Sequence, residues 1–331
     1  MTSRWFASRP CAYYYVAAPD WFTIGLYYLV LLTAFTGWLF KSKGRVWKMT
    51  GLVMLSSIWC WQWQHERSAT RLTLLPLNGG SAVYYDAPGA RNDLLIDCGN
   101  TNAVEFVMKP FLRAHGVNRL PCLALTHGDL SQIGGAGLLR ALMPVEQIAA
   151  SSARFRSPAY RRIIAGLRNS PDHRLTMNRG DRPKDWVVLH PDPGDSFTQA
   201  DDNVLVLFGN IRGTRILLLS DLGDQGQNAL LERTPDLQAD IVAGGLPQKS
   251  EPMCDGLLDA IRPKLVVIMD SEFPATRRAE TPLRERLARR GIRVLYTGNS
   301  GAVTITLRDR QWEFSTTRGV HGSGRTTPPG G

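Results

Sequence analysis

After residue 70 the chain alternates between short apolar runs and polar turns, which is typical of strands and amphipathic helices. The stretch LTLLPLNGGSAVYYDAP predicts two strands joined at a Gly-Gly turn, and DLLIDCG predicts a third. PCLALTHGDL predicts an apolar strand that runs into a polar loop. Later strands are predicted at VVLHP, NVLVLFGN, RILLLSD, LVVIMD, IRVLY and GAVTITL, and helices near 157–168, 225–232, 251–261 and 281–290. Strands and helices alternate in the later half, so we expect a layered α/β domain.

The segment before residue 70 has a different pattern. Residues 21–40 contain no charged side chain, and twenty helical residues at about 1.5 Å each span a bilayer's hydrocarbon core. A second apolar run, 49–63, follows a loop rich in Lys and Arg, which the positive-inside rule places in the cytoplasm. We therefore expect two transmembrane helices over 21–63, with the C-terminal domain on the outer side. A single span followed by an interfacial second helix is the alternative.

These patterns divide the chain into four parts. Residues 1–20 form an N-terminal tail, 21–63 the membrane hairpin, 70–314 the α/β domain and 315–331 a C-terminal tail. The tail is rich in Gly, Pro and Thr, and this composition predicts disorder.

Composition adds a strong positive charge. The formal net charge is +10, which favours polyanionic partners such as nucleic acid or anionic lipid. The five cysteines show no CxxC pair and no short repeating spacing, which argues against a zinc ribbon or a disulfide framework.

The order of several motifs resembles the C-terminal metallo-β-lactamase-fold domain of ComEC-type DNA-uptake proteins. LLIDCG precedes a helix and then LTHGDLSQIGG, which is similar to that fold's metal-binding loop. The later stretches that match in order are ADDNVLVLFGNIRGTRILLLSDLGDQ, DIVAGGLPQKSEPMCDGLLDAIRPKLVVI and RGIRVLYTGNSGAVTITLRDRQWEF. The resemblance implies an αββα sandwich preceded by the last membrane helices of a bacterial inner-membrane channel, with the domain on the periplasmic side. It also implies a partner channel subunit that is encoded separately.

The resemblance also identifies the residues that would hold metal. His127 and Asp129 match the first two ligand positions, and Asp221 matches the bridging aspartate. Ser131 stands where the catalytic aspartate is expected and Gln132 where the next histidine is expected. A hydroxyl and an amide are poor substitutes for a carboxylate and an imidazole as metal ligands. The later histidine position falls at Leu246–Pro247, and the last one at Thr281.

Two functions follow from this eroded motif. The favoured one is a non-catalytic domain of a ComEC-like membrane protein that binds DNA during uptake, with no cofactor. The alternative is a metal-dependent phosphodiesterase or nuclease with a reduced site, in which His127, Asp129 and Asp221 weakly hold one divalent metal, zinc or manganese. His190 would strengthen the alternative if its loop folded toward the site.

Arginine is concentrated in residues 151–185, where nine basic and three acidic side chains give a net charge of +6. Because the guanidinium group binds phosphate oxygens in a bidentate manner, this segment is a candidate DNA-binding surface. We expect Phe155, Tyr160 and Trp186 to stack on bases there. A merely solvated helix face, or a surface resting on lipid, is the alternative. The candidate DNA-binding residues are Arg154, Arg156, Arg161, Arg162, Arg168 and Arg174.

A second arginine-rich run covers residues 277–293. It is the next candidate for a phosphate-binding face.

Overall fold

The structure is a computed structural model that describes residues 14–37, 44–89, 91–153, 155, 157–167 and 174–326. These residues divide into two compact units, one made of the part up to Ala69 with Phe111–Asn118, the other of Thr70–Pro110 and the chain from Arg119 onward. The second unit contains every strand named below and the candidate site.

Two sheets make up most of the second unit. The strands are β1 (Thr70–Leu77), β2 (Gly80–Asp86), β3 (Leu94–Ile96), β4 (Leu120–Leu125), β5 (Val145–Ser151), β6 (Arg174–Met177), β7 (Val187–His190), β8 (Val206–Ile211), β9 (Thr214–Ser220), β10 (Ile241–Gly244), β11 (Leu265–Ile268), β12 (Arg293–Tyr296), β13 (Val303–Arg308), β14 (Gln311–Thr316) and β15 (His321–Arg325). One sheet has the order β15-β14-β13-β1-β2-β3-β4-β5-β6, and the other β12-β11-β10-β9-β8-β7. Both are mixed: β3 to β6 run parallel to one another, as do β9 to β12.

Helices and turns connect these strands. The helices are α1 (Trp21–Phe35), α2 (Arg45–Arg67), α3 (Thr101–Ala103), a π-helical segment (Val104–Met108), α4 (Lys109–Ala114), α5 (Leu130–Ile133), α6 (Ala136–Leu142), α7 (Pro158–Leu167), α8 (Asp224–Arg233), α9 (Asp255–Ile261), α10 (Thr281–Arg289) and α11 (Thr297–Ser300), with 3-10 turns at Asp201–Asn203 and Ala275–Arg277. The helices that the sequence predicts near 157–168, 225–232, 251–261 and 281–290 correspond to α7, α8, α9 and α10.

The main core lies between the two sheets. Alternate residues of β1 and β2, such as Leu72 and Val83, form one buried cluster with Leu207 of β8 and Leu218 of β9. The alternate residues of the second sheet, such as Leu217 and Val242, lie on its other face and pack in a second cluster with α8, α9 and α10. Each strand of the second sheet thus buries both faces, one against the first sheet and one against helices. The layered α/β prediction is confirmed.

A tight hairpin joins two strands of the second sheet. Strands β8 and β9 pair antiparallel down to Ile211 and Thr214. The two turn residues, Arg212 and Gly213, both have positive φ, 53° and 78°. A two-residue turn of this kind matches the natural twist of the strands that it joins.

The predicted membrane hairpin is wrong. Among the described residues, no helix combines the length and the apolar character that crossing a bilayer requires. Helix α1 begins at the Asp20 cap, whose carboxylate accepts from the Thr23 amide, and has 15 residues, or about 22 Å at the usual rise. Helix α2 has 23 residues but carries charged residues at both ends and polar ones between. The predicted inner-membrane location, with the domain on the periplasmic side, is therefore overturned, because it rested on this hairpin.

The predicted disorder of the tail from residue 315 is also wrong for the described part. Strand β14 continues to Thr316, and β15 pairs antiparallel with it. Gly322 and Gly324 of β15 lie over the Phe314 and Trp312 rings, where an added Cβ would overlap the ring atoms. Glycine in this tail therefore permits close strand packing instead of indicating disorder. Residues 327–331 lie outside the described part.

Candidate functional site

The candidate site lies where several parallel strands end. His127 follows β4, Asp221 follows β9, and Leu246 follows β10 by two residues. Because the carboxyl ends of neighbouring parallel strands share one edge of a sheet, the two sheets deliver these residues to the same end of the sandwich. Gly245 is needed there, since an added Cβ would overlap the Asp221 carboxylate.

His127 is buried and both of its ring nitrogens are engaged. The Nε2 atom donates to Asp201 Oδ1 at 2.9 Å, and Nδ1 accepts from the backbone amide of Asp129 at 2.9 Å. Asp201 in turn accepts from the amide of Gln248 at 2.7 Å. Phe155 lies against the ring, with centroids 5.9 Å apart. These three contacts thus hold the imidazole in one orientation.

Asp129 and Asp221 are bridged by one guanidinium group. Arg277 Nη2 lies 2.8 Å from Asp129 Oδ2, and Nη1 lies 3.0 Å from Asp221 Oδ2. The same Nη1 donates to the carbonyl of Leu246 at 3.1 Å. The position at which a later histidine is expected therefore provides a backbone carbonyl to this arginine.

Gln132 and Ser131 occupy the two eroded motif positions. Gln132 Nε2 donates to Asp221 Oδ2 at 3.2 Å, while its Oε1 accepts from the amide and hydroxyl of Ser81 at 2.9 and 3.2 Å. The Gln132 amide thus ties the bridging aspartate to strand β2. The Ser131 hydroxyl is buried and has no hydrogen-bond partner among the described residues.

The pKa values of His127 and its partner Asp201 shift in opposite directions. Burial lowers the pKa of His127, but the Asp201 hydrogen bond and the charges of Asp221, Asp201 and Asp129 outweigh it and raise the pKa. The Asp129 amide opposes this increase, since protonation of Nδ1 would break its hydrogen bond. Burial also raises the pKa of Asp201, but the hydrogen bonds from His127 and Gln248 lower it below its usual value.

Asp221 differs from Asp201, since its pKa is raised. Burial is the main cause and exceeds the opposing effects of His127, Arg277 and Gln132. A buried carboxylate of this kind needs a cation beside it to remain ionised.

The structure brings together the three residues that the sequence predicts as metal ligands, but their ligand atoms are already engaged. His127 uses both nitrogens, and Asp129 and Asp221 each direct Oδ2 at Arg277. Over the described residues, no group of three or more His, Cys, Asp or Glu is arranged to hold a metal ion. As arranged, these side chains do not fit a divalent metal.

His190 does not join the site. It is fully buried, and its Nε2 donates to the carbonyl of Asp202 at 2.8 Å. Its Nδ1 lies 3.8 Å from Asp195. The carboxylate that reaches His127 is that of Asp201, which the sequence analysis missed.

Three residues of the site were not predicted from the motif: Asp201, Gln248 and Arg277. Asp201 lies in the acidic pair of ADDN, directly before an apolar strand, and this is the one local signal that it carried. Arg277 lies within the arginine-rich run and is indistinguishable there from its neighbours.

The predicted DNA-binding residues are only partly described. Arg161 and Arg162 lie exposed on α7. Arg154, Arg156 and Arg168 lie outside the described residues, and only the backbone of Arg174, in β6, is described. Phe155, which precedes α7 in the sequence, packs on Tyr160 of that helix, with ring centroids 4.9 Å apart, and against His127. This segment therefore starts beside the candidate site.

The expected base-stacking role of the aromatic residues is wrong. Phe155, Tyr160 and Trp186 are 7%, 6% and 0% exposed, so none offers a ring face to a base. Trp186 packs edge-on against Tyr85 in the core between the sheets, 5.5 Å between centroids. Their sequence positions among arginines did not show that they face inward.

Much of the second arginine run is paired internally. Arg284 contacts Asp270 at 3.2 Å, Arg286 contacts Glu251 at 2.8 Å, and Arg290 contacts Asp259 at 2.6 Å. These pairs connect α10 to α9 and to the loops beside it. The guanidinium groups of these three residues are thus already paired with carboxylates within the domain.

Comparison with known proteins gave no match to a family model. The chain is 24% identical over 267 residues to "ComE operon protein 3" of Bacillus subtilis (strain 168), which covers 75% of this chain and 34% of that protein. The chain therefore spans about a third of this relative's length. The match agrees with the ComEC-type resemblance of the motifs.

The chain is also similar to several solved structures. "CmlA beta-hydroxylase E377D mutant" matches with a TM-score of 0.48 and 13% identity, over 72% of this chain and 54% of that one. "Igni18, a novel metallo hydrolase" from Ignicoccus hospitalis KIN4/I matches with a TM-score of 0.45 and 15% identity, over 71% of this chain and 98% of that one. "Tm1679, a metal-dependent hydrolase of the beta-lactamase superfamily" matches with a TM-score of 0.45 and 11% identity, over 78% of this chain and 100% of that one. These likenesses concern the fold alone.

Proposed function

We propose that this domain is a non-catalytic, ComEC-like metallo-β-lactamase-type domain that binds DNA during DNA uptake. The observation that carries the proposal is the Arg277 guanidinium, which bridges Asp129 and Asp221, the two carboxylates that the fold would use for metal. The proposed loss of catalysis follows from the geometry, and the proposed binding from the charge beside it.

Hydrolysis of a phosphodiester in this fold needs a metal-bound water and groups that position it. Here the carboxylate expected at position 131 is a serine hydroxyl, and the imidazole expected at 132 is an amide already shared between Ser81 and Asp221. His127 has no free nitrogen with which to take a proton from water. This arrangement favours a structural role for the loop.

Binding of DNA is supported by the basic segment that begins at the site. Phe155 is seated on His127 and Gly128, where an added Cβ would overlap its ring, so this residue of the segment is packed beside the site. Arg161 and Arg162 are exposed on α7. A net charge of +10 adds a general attraction for polyanions.

The full-length protein tests both parts of this proposal. After dialysis it should carry well below one equivalent of zinc or manganese, bind labelled DNA in an anisotropy titration, and leave that DNA uncut when either metal is added. Near-stoichiometric metal that is lost in His127→Ala, together with cleavage, would refute the loss of catalysis. Absence of any salt-dependent binding would refute the DNA part.

The second candidate remains the metal-dependent phosphodiesterase. One observation favours it: Asp201 adds a carboxylate to the three predicted ligands, at 2.9 Å from His127. It requires Arg277 to leave both carboxylates when metal binds. Metal-dependent cleavage by the wild-type protein in the same assay is the result that would select it.

A further inference from the structure

The acidic cluster formed by Asp129, Asp201 and Asp221 contains a cation that the chain itself supplies. Arg277 comes from a different loop, between β11 and α10, and its side chain is 16% exposed. Each of its two Nη atoms binds a different carboxylate, at 2.8 and 3.0 Å. The guanidinium therefore lies between the groups, as a bridging ion would.

We infer that Arg277 is the resident cation of this site: its guanidinium takes the place of a divalent metal, holds the acidic cluster together and keeps metal out. The inference rests on the proposed loss of catalysis, and it adds how the charge of the acidic cluster is balanced. It also assigns the role to one residue, which an exchange at that position can test.

The local structure holds Arg277 in position. Its backbone carbonyl accepts from the amide of Ser271 at 2.9 Å, and its amide donates to the carbonyl of Pro274 at 2.9 Å. The Ser271 hydroxyl donates to the carbonyl of Phe273 at 3.0 Å. Hydrogen bonds within the loop thus fix the backbone of Arg277, from which the side chain extends to the acidic cluster.

Charge explains why a guanidinium can substitute for a metal at this position. Asp129 and Asp221 both direct Oδ2 toward the Arg277 guanidinium, and two like charges this close repel strongly when one of them, Asp221, is buried. Arginine stays protonated at any pH that the fold survives, and its planar group can serve two carboxylates at once. A divalent ion would meet both a positive charge and oxygens already occupied.

The competing explanation is that Arg277 forms an ordinary structural ion pair with no effect on metal binding. Substitutions at position 277, lysine among them, distinguish the two explanations. Arg277→Lys keeps the positive charge but loses the two-sided geometry, whereas Arg277→Gln and Arg277→Ala remove the charge. If charge excludes metal, the lysine variant should be less stable yet still indifferent to metal. Without the guanidinium, the Oδ2 atoms of Asp129 and Asp221 lose their shared partner and become available to zinc or manganese, for which carboxylate oxygen is a ligand.

The experiment measures thermal unfolding of the full-length chain with EDTA, with zinc and with manganese. Three proteins should each keep the same melting temperature with EDTA, zinc or manganese: wild type, Arg277→Lys and the matched control Arg278→Ala, in which an exposed arginine one residue along is replaced. The melting temperature of Arg277→Lys should be lower than that of wild type in every condition. Arg277→Ala and Arg277→Gln should melt lower in EDTA. Saturating zinc or manganese should then raise their melting temperatures by about 4 °C or more.

Each outcome is decisive. Folded Arg277→Ala and Arg277→Gln variants that show no metal-dependent shift would overturn the inference while leaving the proposed function intact. Wild type destabilised by EDTA would show a resident metal and overturn both. If the neutral variants do not fold, refolding with zinc or manganese should recover them, and failure to recover them with either metal counts against the inference.

Discussion

At the scale of single residues, the buried carboxylates determine how the domain responds to pH. Asp86, at the end of β2, is largely buried, and this burial together with the charge of Asp93 raises its pKa to about 6 against the opposing effect of Arg71. Asp97, fully inside beside Thr126, has its pKa raised to about 7, mainly by burial. Compared with the unfolded chain, the folded protein therefore favours the protonated form of both groups.

The sign of the effect follows from linkage. A carboxyl group whose pKa is raised on folding stabilises the fold at low pH and loses that contribution as pH rises through the folded value. For Asp86 this stabilising contribution is lost between about pH 4 and about pH 6. Asp86→Asn, which mimics the protonated form, should therefore raise the free energy of unfolding at pH 8 by about 1–3 kcal/mol and change it little at pH 4.

Urea denaturation at the two pH values measures this difference. Asp309→Asn serves as a matched control, because the Asp309 side chain is 92% exposed. A gain for Asp86→Asn that is equal at both pH values would mean that titration of Asp86 is not the cause.

At the scale of elements, α7 is the part of the proposed DNA-binding surface that the structure describes best. It presents Arg161 and Arg162 to solvent while Tyr160 and Ile164 are buried. The helix thus has one face fixed in the fold and one basic face outside.

Reversal of Arg161 and Arg162 to glutamate should weaken DNA binding for every sequence alike. Since each neutralised phosphate contributes roughly 0.7 to 0.9 to the dependence of log K on log salt, the slope should flatten by up to about 1.8. Anisotropy titrations over a range of salt concentrations give both values.

The matched control reverses Arg308 and Arg310 at the β13–β14 turn. Both are exposed and lie at the opposite end of β1 from the site, since β13 pairs with β1 from Leu307 opposite Thr70. The control should lower affinity less and leave the slope nearer to wild type. An unchanged slope in the α7 variant would move the phosphate-binding face elsewhere.

At the scale of the whole molecule, the core between the sheets connects the two halves of the domain. Trp186, which precedes β7, contributes to it as a fully buried side chain packed on Tyr85 from the opposite sheet. Gly209 of β8 lies against the same ring, where a Cβ would be 3.0 Å from it.

Trp186→Ala should therefore cost about 3–5 kcal/mol of unfolding free energy, because it leaves a large cavity between the sheets. Denaturant unfolding followed by circular dichroism measures the loss. The control is Phe273→Ala, an aromatic residue of the same unit that is 72% exposed and should cost far less. Similar losses for both variants would show that the contact between the sheets is not the source of stability.

The sequence by itself determined most of the elements and the order of the motifs. Period-two alternation and apolar runs gave β1, β2, β8, β9, β11 and β13, since a strand buried on one or both faces must be apolar at those positions. Spacing placed His127, Asp129 and Asp221 in the loops after strands. Local patterns of this kind are readable because they depend on neighbours along the chain.

Where local composition was the only guide, the sequence predictions failed. The apolar run at 21–40 suggested a membrane span, and the Gly-rich tail suggested disorder, although β15 completes a sheet edge there. The arginines beside Phe155, Tyr160 and Trp186 suggested an aromatic surface, although these rings face the core. Composition does not specify which side of a strand or helix meets another layer.

The tertiary structure alone decided the chemistry of the site. Asp201 and Arg277 lie 74 and 148 positions from the His127 and Asp129 that they contact, and no periodicity connects residues so far apart. A long arginine side chain can be a surface charge or a buried counter-ion with the same local sequence around it. Which of the two it becomes depends on where the carboxyl ends of β4 and β9 place Asp129 and Asp221, and the packing of the two sheets fixes that position.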